Sequence, residues 1–146
     1  MKIVVCSGGF DPLHSGHITY FRAAQALGDK LIVGINSDEW LQRKKGKPFM
    51  SWYERSLIVG SIRFVDFTMS FDDDDDSAIA LLERVKVFWP NEEIIFANGG
   101  DRDSSNNRES GVLGVEFVYG VGGSNKMNSS SEILKNWQEK NPHLGV

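Results

Sequence analysis

The feature that most constrains this 146-residue chain is a regular alternation of short β-branched apolar runs with segments of helical spacing. Lys2–Ser7 is strand-like and stops at Gly8-Gly9. Ile18, Phe21, Ala24 and Leu27 then recur at helical intervals before Gly28, which predicts a helix over Ile18–Leu27. Leu31–Ile35 predicts a second strand. Ser51-Trp52-Tyr53-Glu54 has the form of a capping box, and the helix it opens carries Leu57, Ile58 and Ile62. Val65–Phe71 predicts strand three, and Ser77–Val87 a helix with Ile79, Leu82 and Val85 on one face. Glu93–Ala97 and Val115–Val121 predict strands four and five. Ser129-Ser130-Ser131-Glu132 is a second capping box and opens the last helix.

Strands separated by helices predict an α/β fold. The expectation is a single Rossmann-like domain over residues 1–146, a five-stranded mainly parallel sheet with helices on both faces, and a frayed tail from about 138 to 146. Ligands in such sheets bind beyond the carboxyl ends of the strands, at the switch point. The least ordinary stretches fall there: Gly8–His17 after strand one, Asn98–Arg102 after strand four, and Gly122–Ser131 after strand five.

Charge narrows the partners. The net charge of −4 argues against broad nucleic-acid binding, which needs a basic face. Arg43, Lys44, Lys45 and Lys47 are a basic cluster inside this acidic chain, a pattern suited to a small anionic ligand. No apolar run approaches the roughly 20 residues of a membrane span, and Met1–Ser7 reads as a strand rather than a leader, so the expected compartment is the cytoplasm. Cys6 is the only cysteine and reads as a core residue. Asp72–Asp76, five aspartates in a row, reads as a solvated loop ahead of a helix.

The chemistry concentrates in Gly8–His17. Two glycines after a strand allow a sharp turn and close approach by a ligand. The helix that follows offers free N–H groups and a dipole that favour anions. His14 and His17 are three apart and face the same way if both lie in the first turn, with Gly16 leaving their approach open. The assembly reads as a phosphate cradle with two imidazole donors. Zinc needs at least three protein ligands, and His143 in the tail is the one other histidine, so no metal site built from protein side chains alone is expected.

Gly9-Phe10-Asp11-Pro12-Leu13-His14-Ser15-Gly16-His17 resembles the signature of the cytidylyltransferase-like nucleotidyltransferase superfamily. Leu27–Asp38, Arg55, Ile62–Asp66, Gly99-Gly100-Asp101 and Ser129-Ser130-Ser131 resemble further blocks of glycerol-3-phosphate cytidylyltransferases and heptose-phosphate adenylyltransferases, in the same order. The resemblance implies transfer of CMP or AMP from CTP or ATP to a phosphorylated polyol or sugar, with pyrophosphate released and Mg²⁺ carried mainly on the triphosphate. It implies catalytic roles for His14, His17, Lys45 and Lys126. Nucleotide contacts would come from Gly8, Gly9, Phe10, Asp11, Gly16, Gly100, Asp101, Ser129, Ser130 and Ser131. Lys44, Lys47, Arg55, Arg63 and Arg102 would meet the acceptor phosphate, Arg55 and Arg63 from one helix face. A homodimer is also implied. The stretch Gly123–Ser129 departs from the family's arginine-containing pattern and places Lys126 there instead. That departure is the motive for a second reading, a nucleotide-sensing module without catalysis.

Overall fold

The computed structural model describes residues 1–100, 105–123 and 129–141. Ten elements follow in order: β1 Lys2–Gly8, α1 Ser15–Gln25, β2 Lys30–Ile35, α2 Asp38–Lys45, α3 Trp52–Gly60, β3 Phe67–Met69, α4 Ile79–Phe88, β4 Glu93–Ala97, β5 Val115–Val118 and α5 Ser130–Lys140. The strands form one sheet in the order β3-β2-β1-β4-β5, and every pairing is parallel. β1 is central because Ile3–Cys6 are apolar on both faces and all four are buried, the signature of a strand covered by helices on either side.

The two faces have separate cores. Ile3, Val5, Ile32, Ile94 and Phe96 meet Leu81, Leu82 and Val85 of α4. Val4, Cys6, Leu31, Val33 and Ala97 meet Phe21 and Ala24 of α1 and Val59 of α3. Gly34 is where β2 and α4 come closest: a Cβ there would lie 2.3 Å from Leu81 Cδ2.

Several expected boundaries move, each for a local reason. The first helix begins at Ser15, before Ile18, because His14 caps it. Ile62 lies beyond α3, which ends at Gly60 with Ser61 as its cap. Strand three shrinks to Phe67–Met69, since Asp66 closes its start by accepting from Leu31 N–H at 2.8 Å. α5 continues through Lys140, so the expected frayed tail does not begin at 138, and residues 142–146 lie outside the described set. α2 is a helix that the apolar periodicity does not predict. Ser37 caps it by accepting from Trp40 N–H, Asp38 and Glu39 stand in its first turn, and Arg43, Lys44 and Lys45 in its last. The basic cluster is therefore mostly helical, with Gly46 at φ +90° ending it.

The aspartate run is also not merely solvated. Asp73 is 2% exposed, and its carboxylate accepts from Ser37 N–H, Ser37 Oγ and Asn36 Nδ2. It pins the start of α2 to the end of β2. Asp74 and Asp76 face Arg43.

Candidate active site

A cleft of about 220 Å³ opens at the carboxyl edge of the sheet, beside the end of β1. One wall is Gly9–Asp11 with His14 and His17. Trp40, Leu41 and Lys45 of α2 form a second, and Ser129, Ser130 and Ser131 a third. The volume is below the roughly 300–1,000 Å³ of a drug-sized ligand site and gives room for phosphate groups. A wider concavity of about 540 Å³ lies at the opposite edge, where Asp29, Glu92 and Glu93 are set against Lys2 and the Met1 ammonium, away from the carboxyl ends of the strands.

The histidines are held by backbone. His14 is the N-cap of α1, with its Nδ1 accepting from Gly16 N–H at 3.0 Å. His17 Nδ1 accepts from His14 N–H at 3.1 Å. The two bonds are reciprocal, as in a capping box with imidazoles in place of hydroxyl and carboxylate. A neutral imidazole that accepts at Nδ1 carries its proton on Nε2, so these bonds assign both rings as Nε2–H donors. The rings stack with centroids 3.8 Å apart. Gly16 is required here, because a Cβ would sit 2.8 Å from His14 Cε1.

The third wall is tied to the first. Ser129 caps α5 by accepting from Glu132 N–H, and Ser130 Oγ donates to Pro12 O at 2.7 Å. The N-termini of two eleven-residue helices, α1 and α5, therefore converge on one cleft. Both present partial positive charge to an anion.

Other expected residues are placed differently. Gly8 is not a point of ligand approach: the Phe10 ring covers it, 2.8 Å from where a Cβ would be. Gly9 likewise faces Leu41 and Trp40. The Phe10 side chain lies in the core, 4% exposed, edge-on to His17 at 4.9 Å and to Phe21 at 5.1 Å, at the cost of a left-handed φ of +53°. It steadies His17 and offers a nucleotide only its backbone. Asp11 is buried, and its two carboxylate oxygens accept from Phe49 N–H and Met50 N–H, both at 2.7 Å. Its carboxylate serves the loop after α2 instead of a ligand.

Arg55 is the largest correction. It is fully buried on α3. Nε donates to Met50 O, Nη1 to Gly9 O and Asn36 O, and Nη2 to Asp38 Oδ1, at 2.7–3.0 Å. A guanidinium so committed is a strut between the cleft loop, β2, α2 and the 46–50 segment, not an acceptor-phosphate ligand. Arg63 lies past the end of α3, exposed, with its guanidinium over the Phe64 ring at 5.0 Å, so it shares no helix face with Arg55.

Of the lysines, Lys45 reaches the cleft. Its Nζ donates to Asp11 O at 2.7 Å and lies 3.8 Å from Asp11 Oδ2. Lys44 sits over the Trp40 ring at 5.5 Å, and Lys47 is exposed beyond α2. Gly100 occupies a turn after β4 with φ +64°. Asp101, Arg102 and Lys126 lie outside the described residues. Trp40 and Leu41 also line the cleft, carried there by α2, which the apolar periodicity does not predict. The signal was present in the acidic first turn, basic last turn and glycine stop of that helix.

Cys6 is fully buried, and burial pushes its thiol up to about 12, against a hydrogen bond from Tyr20 that acts the other way. Such a thiol is no nucleophile. Among the described residues no three His, Cys, Asp or Glu side chains are grouped to hold a metal ion, and no helix is long and apolar enough to cross a membrane.

Residues 5–118 match the model of a family described as cytidylyltransferase-like. The bifunctional protein HldE of Helicobacter hepaticus is 38% identical over 122 residues, covering 82% of this chain and 23% of that protein. HldE of Pelobacter propionicus is 36% identical over 124 residues, covering 84% and 23%. The chain thus spans about a quarter of the length of these curated relatives. A lipopolysaccharide core biosynthesis protein from Thermoplasma volcanium superposes with a TM-score of 0.63 at 23% identity, over 82% of this chain and 95% of that one. A bifunctional NMN adenylyltransferase/ADP ribose pyrophosphatase from Francisella tularensis, solved with AMP and a manganese ion, gives 0.69 at 16% identity, over 99% and 42%. At such identities the structural likeness is one of fold.

Proposed function

The chain belongs to the cytidylyltransferase-like family of nucleotidyltransferases, and from that premise we propose that it transfers CMP or AMP from the nucleoside triphosphate to a phosphorylated sugar or polyol. An oxygen of the acceptor phosphate attacks the α-phosphorus. A new P–O bond forms as the bond to the β-phosphate breaks, and pyrophosphate leaves with the electron pair. The observation that carries this reading is the pair of stacked imidazoles, both assigned as Nε2–H donors, facing the N-terminus of α5 across a phosphate-sized cleft.

The residues divide the work. His14 and His17 donate to the phosphate oxygens on which charge builds in the transition state, and the α1 dipole acts in the same sense. The opening turn of α5, with Ser129–Ser131, holds the leaving pyrophosphate. Lys45 swings from Asp11 O to the triphosphate, exchanging a neutral acceptor for a charged one. The donor set of the cleft is imidazole, hydroxyl and ammonium, and its one carboxylate, Asp11, is already spent on backbone. These side chains fit a metal that arrives with the nucleotide rather than one held by the protein; Mg²⁺, when bound, would be carried by the triphosphate and would supply charge neutralisation for the leaving group.

Pyrophosphate release with CTP or ATP, Mg²⁺ and a panel of sugar and polyol phosphates tests the reading. One productive pair is expected, and release from no pair by folded protein would refute it. His17→Ala is expected to lower turnover about 100- to 1,000-fold, the usual cost of one transition-state donor, with the melting temperature little changed. An undiminished rate would remove the assigned role.

A further inference from the structure

Asn98 directly follows β4 at the carboxyl edge, beside β1, where the strand order reverses. Its backbone is fixed on both sides: N–H donates to Val118 O at 2.7 Å, and the carbonyl accepts from Val121 N–H at 3.0 Å. The residue is 4% exposed. Its Nδ2 is the one buried side-chain nitrogen or oxygen among the described residues with no hydrogen-bond partner. An unpaired buried amide is destabilising, so its presence calls for a reason.

Its place in the sheet supplies one. Ile94 and Phe96 pack under α4, while Ala97 packs under α1. Strand alternation therefore puts Asn98 on the α4 side. The cleft is built from the N-terminus of α1, which covers the other side, together with α2 and the N-terminus of α5. In an in-line displacement the attacking oxygen approaches opposite the leaving group. With pyrophosphate in the cleft, the acceptor enters from the side that carries Asn98.

We propose that Asn98 is the acceptor-binding residue of this enzyme, its Nδ2–H donating to an oxygen of the acceptor's phosphate. The inference rests on the transfer reaction proposed above. A neutral amide orients a phosphate without neutralising the oxygen that must attack. Because Nδ2 makes no bond to the protein, turning the amide toward an arriving phosphate breaks none of its own.

The test uses the full chain with Asn98→Leu and Asn98→Asp. Glycerol 3-phosphate, hexose 1-phosphates and other phosphorylated sugars and polyols are titrated calorimetrically beside a non-hydrolysable ATP or CTP analogue. For Asn98→Leu the melting temperature should hold or rise, analogue affinity should stay within about twofold, and acceptor affinity should fall roughly 10- to 100-fold, as for a lost bond to a charged group. Asn98→Asp should weaken the acceptor further by repulsion. Unchanged acceptor affinity in Asn98→Leu would overturn the proposal alone. So would a loss confined to the analogue, which would make this a nucleotide contact, or a lowered melting temperature with both affinities reduced alike. Failure of the wild-type chain to bind any phosphate monoester beside either analogue would overturn the transfer reaction and this inference together.

Discussion

Replacing Arg55 by Leu separates a strut from a ligand. The substitution leaves the carbonyls of Gly9, Asn36 and Met50 without their donor, inside the fold. Each orphaned buried acceptor costs about 1–3 kcal/mol. The Asp38 carboxylate is 41% exposed and can turn to water, so its loss adds little. Partial relaxation and the apolar gain of Leu reduce the sum, leaving about 3–5 kcal/mol, the range seen when one partner of a buried pair is removed. That is a large share of a total stability of about 5–15 kcal/mol. It corresponds to melting lower by roughly 8–15 °C for a chain of this size. Urea unfolding followed by far-UV circular dichroism measures it directly. Arg55→Lys should fall between, since an ammonium cannot span the same acceptors. A loss under about 1 kcal/mol for Arg55→Leu, with acceptor affinity weakened instead, would refute the reasoning and return Arg55 to the ligand.

Three further outcomes rest on close packing and burial elsewhere in the chain. Gly16→Ala places a methyl 2.8 Å from His14 Cε1, so turnover should fall at least tenfold through ring displacement while stability changes by less than about 1 kcal/mol, read by kinetics and melting on one sample. Gly34→Ala sets its Cβ 2.3 Å from Leu81 Cδ2 and should cost about 1–3 kcal/mol by overpacking, with Leu81→Ala in the double variant recovering part of it. Cys6 should resist iodoacetamide in the native state at pH 8 and react on unfolding. Its proton is retained by the fold up to about 12 but leaves the unfolded chain near 8.5. Its contribution to stability is therefore complete below about pH 8.5 and declines as pH rises, by up to about 1.4 kcal/mol per unit, and Cys6→Ala should flatten that alkaline limb.

The legible and illegible parts of this chain differ in kind. The alternation of strands and helices, and with it the parallel sheet, is readable because β-branched runs, glycine stops and capping serines act locally, and Glu93–Ala97 appears with the expected bounds. The histidine pair was readable because three-residue spacing fixes a helix face regardless of what surrounds it. Arg55 was misread because a cation's partners lie far along the chain: Gly9 is 46 residues away. Asp73 escaped for the same reason, one buried carboxylate among four neighbours of identical composition. α2 escaped because its apolar stripe is thin, with Leu41 its one buried residue, so periodicity was silent while its charges were not.

The bond from Ser130 to Pro12 joins positions 118 residues apart. The cleft is thus assembled from α1 and α5, helices far apart in the chain. During synthesis the sheet can begin to pair before α5 has emerged, and the wall opposite the imidazoles arrives only when that helix has docked. A chain cut short before residue 130 would keep both of its cores while lacking one side of the cleft.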